Sequence, residues 1–209
     1  DGRQYIADAV ARGAGAVLWE PDGFAWPRDI AAPNVAVAGL KRQAGPLAAE
    51  MFGRPSEKLW VVGVTGTNGK TSCSQWIAAL LENAAVIGTL GAGFPGALSA
   101  ATNTTPDALE THSLMRKFKE AGARAVAMEV SSHGLAQGRV NGVRIACALF
   151  TNLTHDHLDY HGSMANYAAA KARLFDMPGV QTAVLNLDDA FGAELAARLA
   201  GRMRTIGYS

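Results

Sequence analysis

The stretch Gly63-Val64-Thr65-Gly66-Thr67-Asn68-Gly69-Lys70-Thr71-Ser72 restricts the fold more than any other part of the chain. It follows an apolar run, Leu59-Trp60-Val61-Val62, that reads as a buried strand. It precedes Cys73-Ser74-Gln75-Trp76-Ile77-Ala78-Ala79-Leu80-Leu81, whose apolar residues recur at helical spacing. A strand, a Gly-rich turn and a helix opening on Lys-Thr describe a phosphate-binding loop. Unpaired N–H groups at the helix start cradle phosphate oxygens, and the helix dipole favours their charge. Lys70 would reach the terminal phosphates and the Thr71 hydroxyl a magnesium ion. The usual spacing places a glycine at position 64, where this chain has Val64; Gly63 and Gly66 flank it.

The remaining strand candidates fix the architecture. Residues 15–19, 34–38, 85–88, 124–130, 146–152 and 182–186 are short apolar runs. Helical patterns lie between them, through Leu109, Leu114 and Phe118 and at residues 164–177 and 190–200 among others. Residues 91–101, rich in Gly, Ala and Ser, read as a mobile loop, and Thr105 as the cap of a helix whose first turn holds Pro106. Strands alternating with helices predict an α/β fold with a mostly parallel sheet flanked by helices, and ligands beyond the carboxyl ends of the strands. Gly53-Arg54-Pro55-Ser56 is the best boundary. It divides a small, partial N-terminal α/β domain (1–54) from a phosphate-loop domain (55–209). The chain begins at Asp1 without methionine and stops at Ser209 just after a candidate strand, so both ends are expected to be cut from something longer.

Bulk properties exclude several classes. A net charge of +1 suggests no nucleic-acid or membrane surface, so such partners are not expected and any polyanion must be met by a local site. The only cysteines, Cys73 and Cys147, suit a reducing compartment, and no apolar run reaches the ~18 residues of a membrane span. A cytoplasmic protein is expected.

Three further polar clusters fall at strand ends or on an inward helix face. In Glu129-Val130-Ser131-Ser132-His133 an acid ends an apolar strand. It is capped either by backbone amides or by a cation such as magnesium beside Thr71. In the run from Thr151 to Gly162, His155, His157 and His161 fall within seven residues. They are candidates for metal or catalytic work, or a polar surface loop, and their spacing matches no zinc pattern. On the helix from Met164, a stripe of Met164, Tyr167, Lys171, Leu174 and Met177 places Lys171 on the inward face. Either its pKa is lowered there, or its ammonium snorkels to water. Asn103-Thr104-Thr105, Ser131, Gln137 and Arg139 are donors suited to a polyanionic substrate, or else turn and cap residues.

Together these motifs resemble the Mur ligase superfamily, whose members share the departure at Val64. Asn103-Thr104-Thr105-Pro106-Asp107, Glu129-Val130-Ser131-Ser132-His133-Gly134-Leu135 and the run from Thr151 to Gly162 resemble the branch that adds the third residue of the peptidoglycan stem peptide. The resemblance implies ATP-dependent amide formation. A carboxylate of UDP-N-acetylmuramoyl-L-alanyl-D-glutamate takes the γ-phosphate, and the amine of a diamino acid (meso-diaminopimelate or L-lysine) displaces phosphate from the acyl phosphate. It implies ATP on Gly66, Thr67, Asn68, Gly69, Lys70, Thr71 and Ser72, with catalysis by Lys70, Glu129, His157 and Lys171. Mg2+ is implied at Thr71 and Glu129, and a second metal at His157 and Lys171, the lysine carrying a CO2-derived carbamate. The UDP-muramoyl peptide is implied on Asn103, Thr104, Thr105, Ser131, Gln137 and Arg139, with Asn152 supporting the metal loop.

A monomer is expected. So are uridine-contacting residues ahead of Asp1 and an amino-acid-binding third domain beyond Ser209, without which residues 1–209 would be inactive. The rival readings are another ligase of the superfamily, such as folylpolyglutamate synthase, a nucleotide-binding regulatory module without turnover, and a simple P-loop kinase. The Glu129 and His157 segments argue against the first, and the joint presence of Lys70, Thr71, Glu129, His157 and Lys171 against the second. A kinase would need neither a uridine-type first domain nor the inward lysine.

Overall fold

A computed structural model describes residues 1–209. Two compact units divide the chain, Asp1–Ala44 and Gly45–Ser209. In the first, a 3-10 turn (Gly2–Tyr5) leads into α1 (Ile6–Ala11), and β1 (Val17–Trp19) pairs in parallel with β2 (Asn34–Ala36). The division falls inside α2 (Leu40–Met51), ahead of the turn that suggested a boundary after residue 54. Close packing explains why the later turns of α2 belong to the second unit: a Cβ at Gly45 would stand 2.1 Å from the Asn141 carbonyl oxygen.

The second unit is built on an eight-stranded sheet. In chain order its elements are β3 (Trp60–Thr65), α3 (Lys70–Leu80), β4 (Ala84–Gly88), β5 (Gly91–Phe94), β6 (Ala97–Ser99) and α4 (Ala108–Glu120). Then come β7 (Ala125–Glu129), α5 (Ser132–Ala136), β8 (Cys147–Phe150), α6 (Leu158–His161) and α7 (Met164–Ala172). A 3-10 turn (Arg173–Asp176), β9 (Thr182–Asn186), α8 (Ala190–Leu199) and β10 (Arg204–Tyr208) complete it. The strand order is β10-β9-β8-β3-β7-β4-β5-β6. All pairings are parallel except the two made by β5. The mostly parallel sheet flanked by helices is thus the fold the alternating pattern predicts.

Strand alternation sorts the two faces. Val61, Ile87, Val126, Met128, Ala148 and Leu185 join the larger core, with Met115 and Phe118 of α4 and Leu195 and Leu199 of α8. Ala84, Val86, Ala125 and Ala127 face Ala78 of α3. These small residues let α3 approach the sheet closely. Glu129 shares the α3-side parity of Ala125 and Ala127, and this parity delivers the carboxylate to the first turn of α3.

Two expectations are corrected. Residues 91–101 hold the β5–β6 hairpin at the sheet edge rather than an irregular loop. Gly91 and Gly93 are required for close strand approach: a Cβ there would lie 2.4 Å from the Ser99 carbonyl oxygen and 2.3 Å from that of Ala97. The cap of α4 is Asp107, whose carboxylate accepts from the Glu110 N–H, while Thr105 is buried and turned to the sheet. No helix is long and apolar enough to cross a membrane.

Candidate active site

β3 is the central strand, and the loops that leave the carboxyl ends of β3, β4, β7 and β8 meet above it. Val64 sits inside β3, fully buried and paired between Glu129 and Leu149, which explains why no glycine stands there. The turn starts one residue beyond the strand. Gly66 has φ 151°, and a Cβ on it would lie 1.8 Å from Thr151 Oγ1; Gly69, at φ 82°, caps α3. The β8 loop clasps this turn. Asn152 accepts from Thr67 N–H through its carbonyl (2.8 Å) and from Asn68 N–H through Oδ1 (2.9 Å). Thr151 Oγ1 donates to the Asn68 carbonyl at 2.6 Å. Asn152, expected to support the His157 loop, therefore holds the phosphate loop. The N–H groups of the first turn of α3 have no helical carbonyl to meet and stay available to an anion. Ser72 lies in that turn, exposed.

Two lysines converge on one carbonyl. Lys70 Nζ donates to Gly66 O (2.9 Å) and Thr67 O (2.8 Å), and Lys171 Nζ donates to Gly66 O at 2.7 Å. Lys171 is 1% exposed and stands 4.3 Å from the centre of the Tyr167 ring, so the inward stripe holds and the snorkelling alternative does not. Burial, reinforced by the neighbouring Lys70 charge and opposed by Asp156, pulls its pKa from 10.5 to about 7. Burial also lowers the pKa of Lys70, against the pull of Glu129 and Asp156.

Glu129 is the counterpart, 1% exposed at the end of β7. Its Oε2 accepts from Thr71 Oγ1 (2.9 Å) and Thr89 Oγ1 (3.2 Å), and its Oε1 from Thr89 N–H (2.9 Å). No lysine or arginine pairs with it, although Lys70 is near enough to interact electrostatically. Gly88 leaves room for the carboxylate: a Cβ there would be 2.1 Å from Glu129 Oε1.

A metal must fit these donors. No cluster of three or more His, Cys, Asp or Glu side chains makes a ready metal site. Thr71 Oγ1 and Glu129 Oε2 are hard oxygen donors on one spot, and the carboxylate is in no salt bridge. They fit a Mg2+ that takes its other ligands from phosphate and water. His157 and Lys171, expected to hold a second metal once the lysine is carboxylated, reach the site from separate elements. His157, in left-handed conformation at the start of α6, faces Asp156 Oδ2 at 3.4 Å and makes no hydrogen bond to Lys171.

The expected acceptor residues lie on the other side of Glu129. Thr105 Oγ1 donates to Glu129 O (3.0 Å) and accepts from Ser131 N–H (2.9 Å). Arg139 donates to Thr105 O and to Gln137 Oε1, both at 2.8 Å. Thr104 Oγ1 meets Thr89 Oγ1 at 3.0 Å. Asn103 bonds only its neighbour Thr102, at 3.3 Å. Gln137 also reaches Tyr160 OH (3.3 Å), beside His133, whose ring centre is 4.2 Å from that of Tyr160 and 4.8 Å from that of His157. The histidine loop is thus packed against the acceptor loop. Thr89, Asp156, Tyr167 and Thr151 are site members that sequence reasoning missed. Of these, Tyr167 was legible only as part of the inward stripe, and Thr151 and Asp156 only as members of the run ending at Gly162; Thr89 carried no signal.

A mostly parallel sheet with a lysine-bearing Gly-rich turn and a buried carboxylate at its carboxyl edge defines an α/β domain with its polar groups gathered at one strand end. The family described as the Mur ligase middle domain matches residues 64–209, and the chain belongs to the Mur ligase family. It is 54% identical to the UDP-N-acetylmuramoyl-L-alanyl-D-glutamate–2,6-diaminopimelate ligase of Nitrosomonas europaea, over 100% of this chain and 41% of that protein. A solved structure of a ligase of that name superposes with TM-score 0.81 at 34% identity, covering 99% of this chain and 42% of the other. The folylpolyglutamate synthase of Mycobacterium tuberculosis shares the fold alone (TM-score 0.61, 19% identity, 81% of this chain and 46% of that one). The chain thus spans about two fifths of the length of the first curated relative it matches.

Proposed function

We propose that the full-length protein carrying this segment is an ATP-dependent ligase of cytoplasmic peptidoglycan precursor synthesis, acting as a monomer. It would join a diamino acid to UDP-N-acetylmuramoyl-L-alanyl-D-glutamate through an acyl phosphate. The names of the similar ligases support 2,6-diaminopimelate as that amino acid. The observation that carries the reading is the opposition, across one strand end, of two desolvated lysines and one desolvated carboxylate with no ion pair between them.

Gly66, Thr67, Asn68, Gly69, Thr71 and Ser72 would cradle the triphosphate. Lys70, already on the loop, would turn from the Gly66 and Thr67 carbonyls to the γ-phosphate. Thr71 and Glu129 would hold Mg2+, which neutralises phosphate charge as it builds. Thr104, Thr105, Ser131, Gln137, Arg139 and the exposed Asn103 would orient the muramoyl peptide so that its carboxylate faces the γ-phosphate.

Lys171, with a pKa of about 7, has a neutral amine within reach at neutral pH. Its nitrogen would attack the carbon of CO2 with loss of a proton, giving an N-carboxylated lysine. This would replace a cation beside Lys70 with an anion that Lys70 and His157 can face. The proposal is tested by incubating the full-length protein with Mg·ATP, the UDP-muramoyl dipeptide and diaminopimelate. Phosphate release coupled to tripeptide product is expected. Phosphate release with folate and glutamate, but not with this pair, would favour the folylpolyglutamate reading.

A further inference from the structure

We infer that Thr89 is a positioning residue that ties the metal-side carboxylate to the acceptor loop and fixes which hydrogen-bonding group Thr104 offers to substrate. This rests on the ligase reading. Thr89 follows β4 directly, and its hydrogen bonds run to Glu129 and Thr104 rather than to either lysine. Four side-chain oxygens form one hydrogen-bonded chain, Thr71 Oγ1, Glu129 Oε2, Thr89 Oγ1 and Thr104 Oγ1, with separations of 2.9, 3.2 and 3.0 Å.

Donor counting orients this hydrogen-bonded chain. A carboxylate only accepts, and a hydroxyl has one proton. Thr71 and Thr89 therefore both spend their protons on Glu129. Thr89 has none left for Thr104, so Thr104 must donate to Thr89. Its lone pairs are left unused on a half-buried residue. Thr104 thus presents an acceptor, suited to an amide N–H or a hydroxyl of the muramoyl peptide and unsuited to its carboxylates or phosphates. The Thr89 N–H holds the other carboxylate oxygen, Oε1, so one residue grips both oxygens of Glu129. The carboxylate and the acceptor loop are consequently set by the same side chain, which couples the two binding events without a direct contact between them.

The test uses the full-length protein with Thr89→Val, which removes the hydroxyl but keeps shape and N–H, and Thr89→Ser, which keeps the hydroxyl. Affinity for the UDP-muramoyl dipeptide is measured by calorimetry without metal or nucleotide, and affinity for Mg·ADP separately. Loss of a hydrogen bond to a charged group predicts that the valine variant binds each ligand about tenfold more weakly, and that serine restores both. Unchanged dipeptide affinity in the valine variant, or equal losses in valine and serine, would overturn the inference. Wild-type protein that fails to bind the dipeptide at all would instead defeat the ligase reading, and with it the role of Thr104. Thermal unfolding of both variants at the wild-type temperature accompanies the expected result, and a valine-specific loss of fold would count against a positioning role.

Discussion

The two walls of the site hold opposite charges by the same device. On the phosphate-loop wall, Lys70 and Lys171 rest on the Gly66 carbonyl. On the β7 wall, Glu129 rests on two threonine hydroxyls and an amide. Glu129 is the only acid in the core and Lys171 the only lysine or arginine, yet they do not pair. Burying a charge costs several kcal/mol unless something compensates it, and neutral dipoles compensate only in part. A site built for stability alone would join the charges. Keeping them apart leaves the lysines free for a polyanion and the carboxylate for a cation, which is what the proposed metal–nucleotide complex would require.

This asymmetry can be broken one wall at a time. The largest effect is expected for Lys70→Ala in the full-length protein, since it removes the main cation facing the γ-phosphate. Steady-state phosphate release should fall by roughly 10²–10³-fold or more. Lys171→Ala should come next, nearly inactive and partly restored by short-chain carboxylates that stand in for a carbamate; mass spectrometry of the wild type in bicarbonate should show the added carboxyl group.

On the opposite wall, Gly88→Ala should weaken Mg·ADP binding by about tenfold with little effect on metal-free ADP, because the new methyl would drive into Glu129 Oε1. The smallest effect concerns stability. Folded Lys171 has a pKa of about 7 against an ordinary 10.5, so between these values the unfolded chain binds the extra proton and stability rises with pH. In CO2-free buffer, Lys171→Met should be more stable than wild type below pH 7, an advantage that shrinks as pH climbs toward 10.5. Melting curves across this window check it.

What the sequence made legible was local. The phosphate loop, Glu129 at a strand end and the inward Lys171 each follow from a period or a spacing, and each lands where expected. The hairpin of β5 and β6 was hidden because glycine signals both freedom and close approach. Only the partner carbonyls at Ser99 and Ala97 show which applies. Thr105 looked like a cap because its neighbours suit one, yet Asp107 performs that role and frees Thr105 for the sheet. Thr89 had no local signal at all, and Tyr167 only its place on the inward stripe. Their importance comes from parallel register, which sets Gly88 beside Glu129, and from the packing of α7 against the phosphate loop, where Tyr167 OH meets Thr67 Oγ1 at 3.2 Å. His157 was legible as chemistry but not as geometry, since its partner is its own neighbour Asp156.

The central claim is that Glu129 is held by neutral dipoles so that a metal can take their place opposite the nucleotide. The most direct measurement is ADP affinity of the full-length protein and of Glu129→Gln, each with and without Mg2+. The account predicts equal metal-free affinities and loss of the magnesium-dependent gain in the variant alone. A gain that survives in Glu129→Gln, or a loss that appears equally without metal, would contradict it.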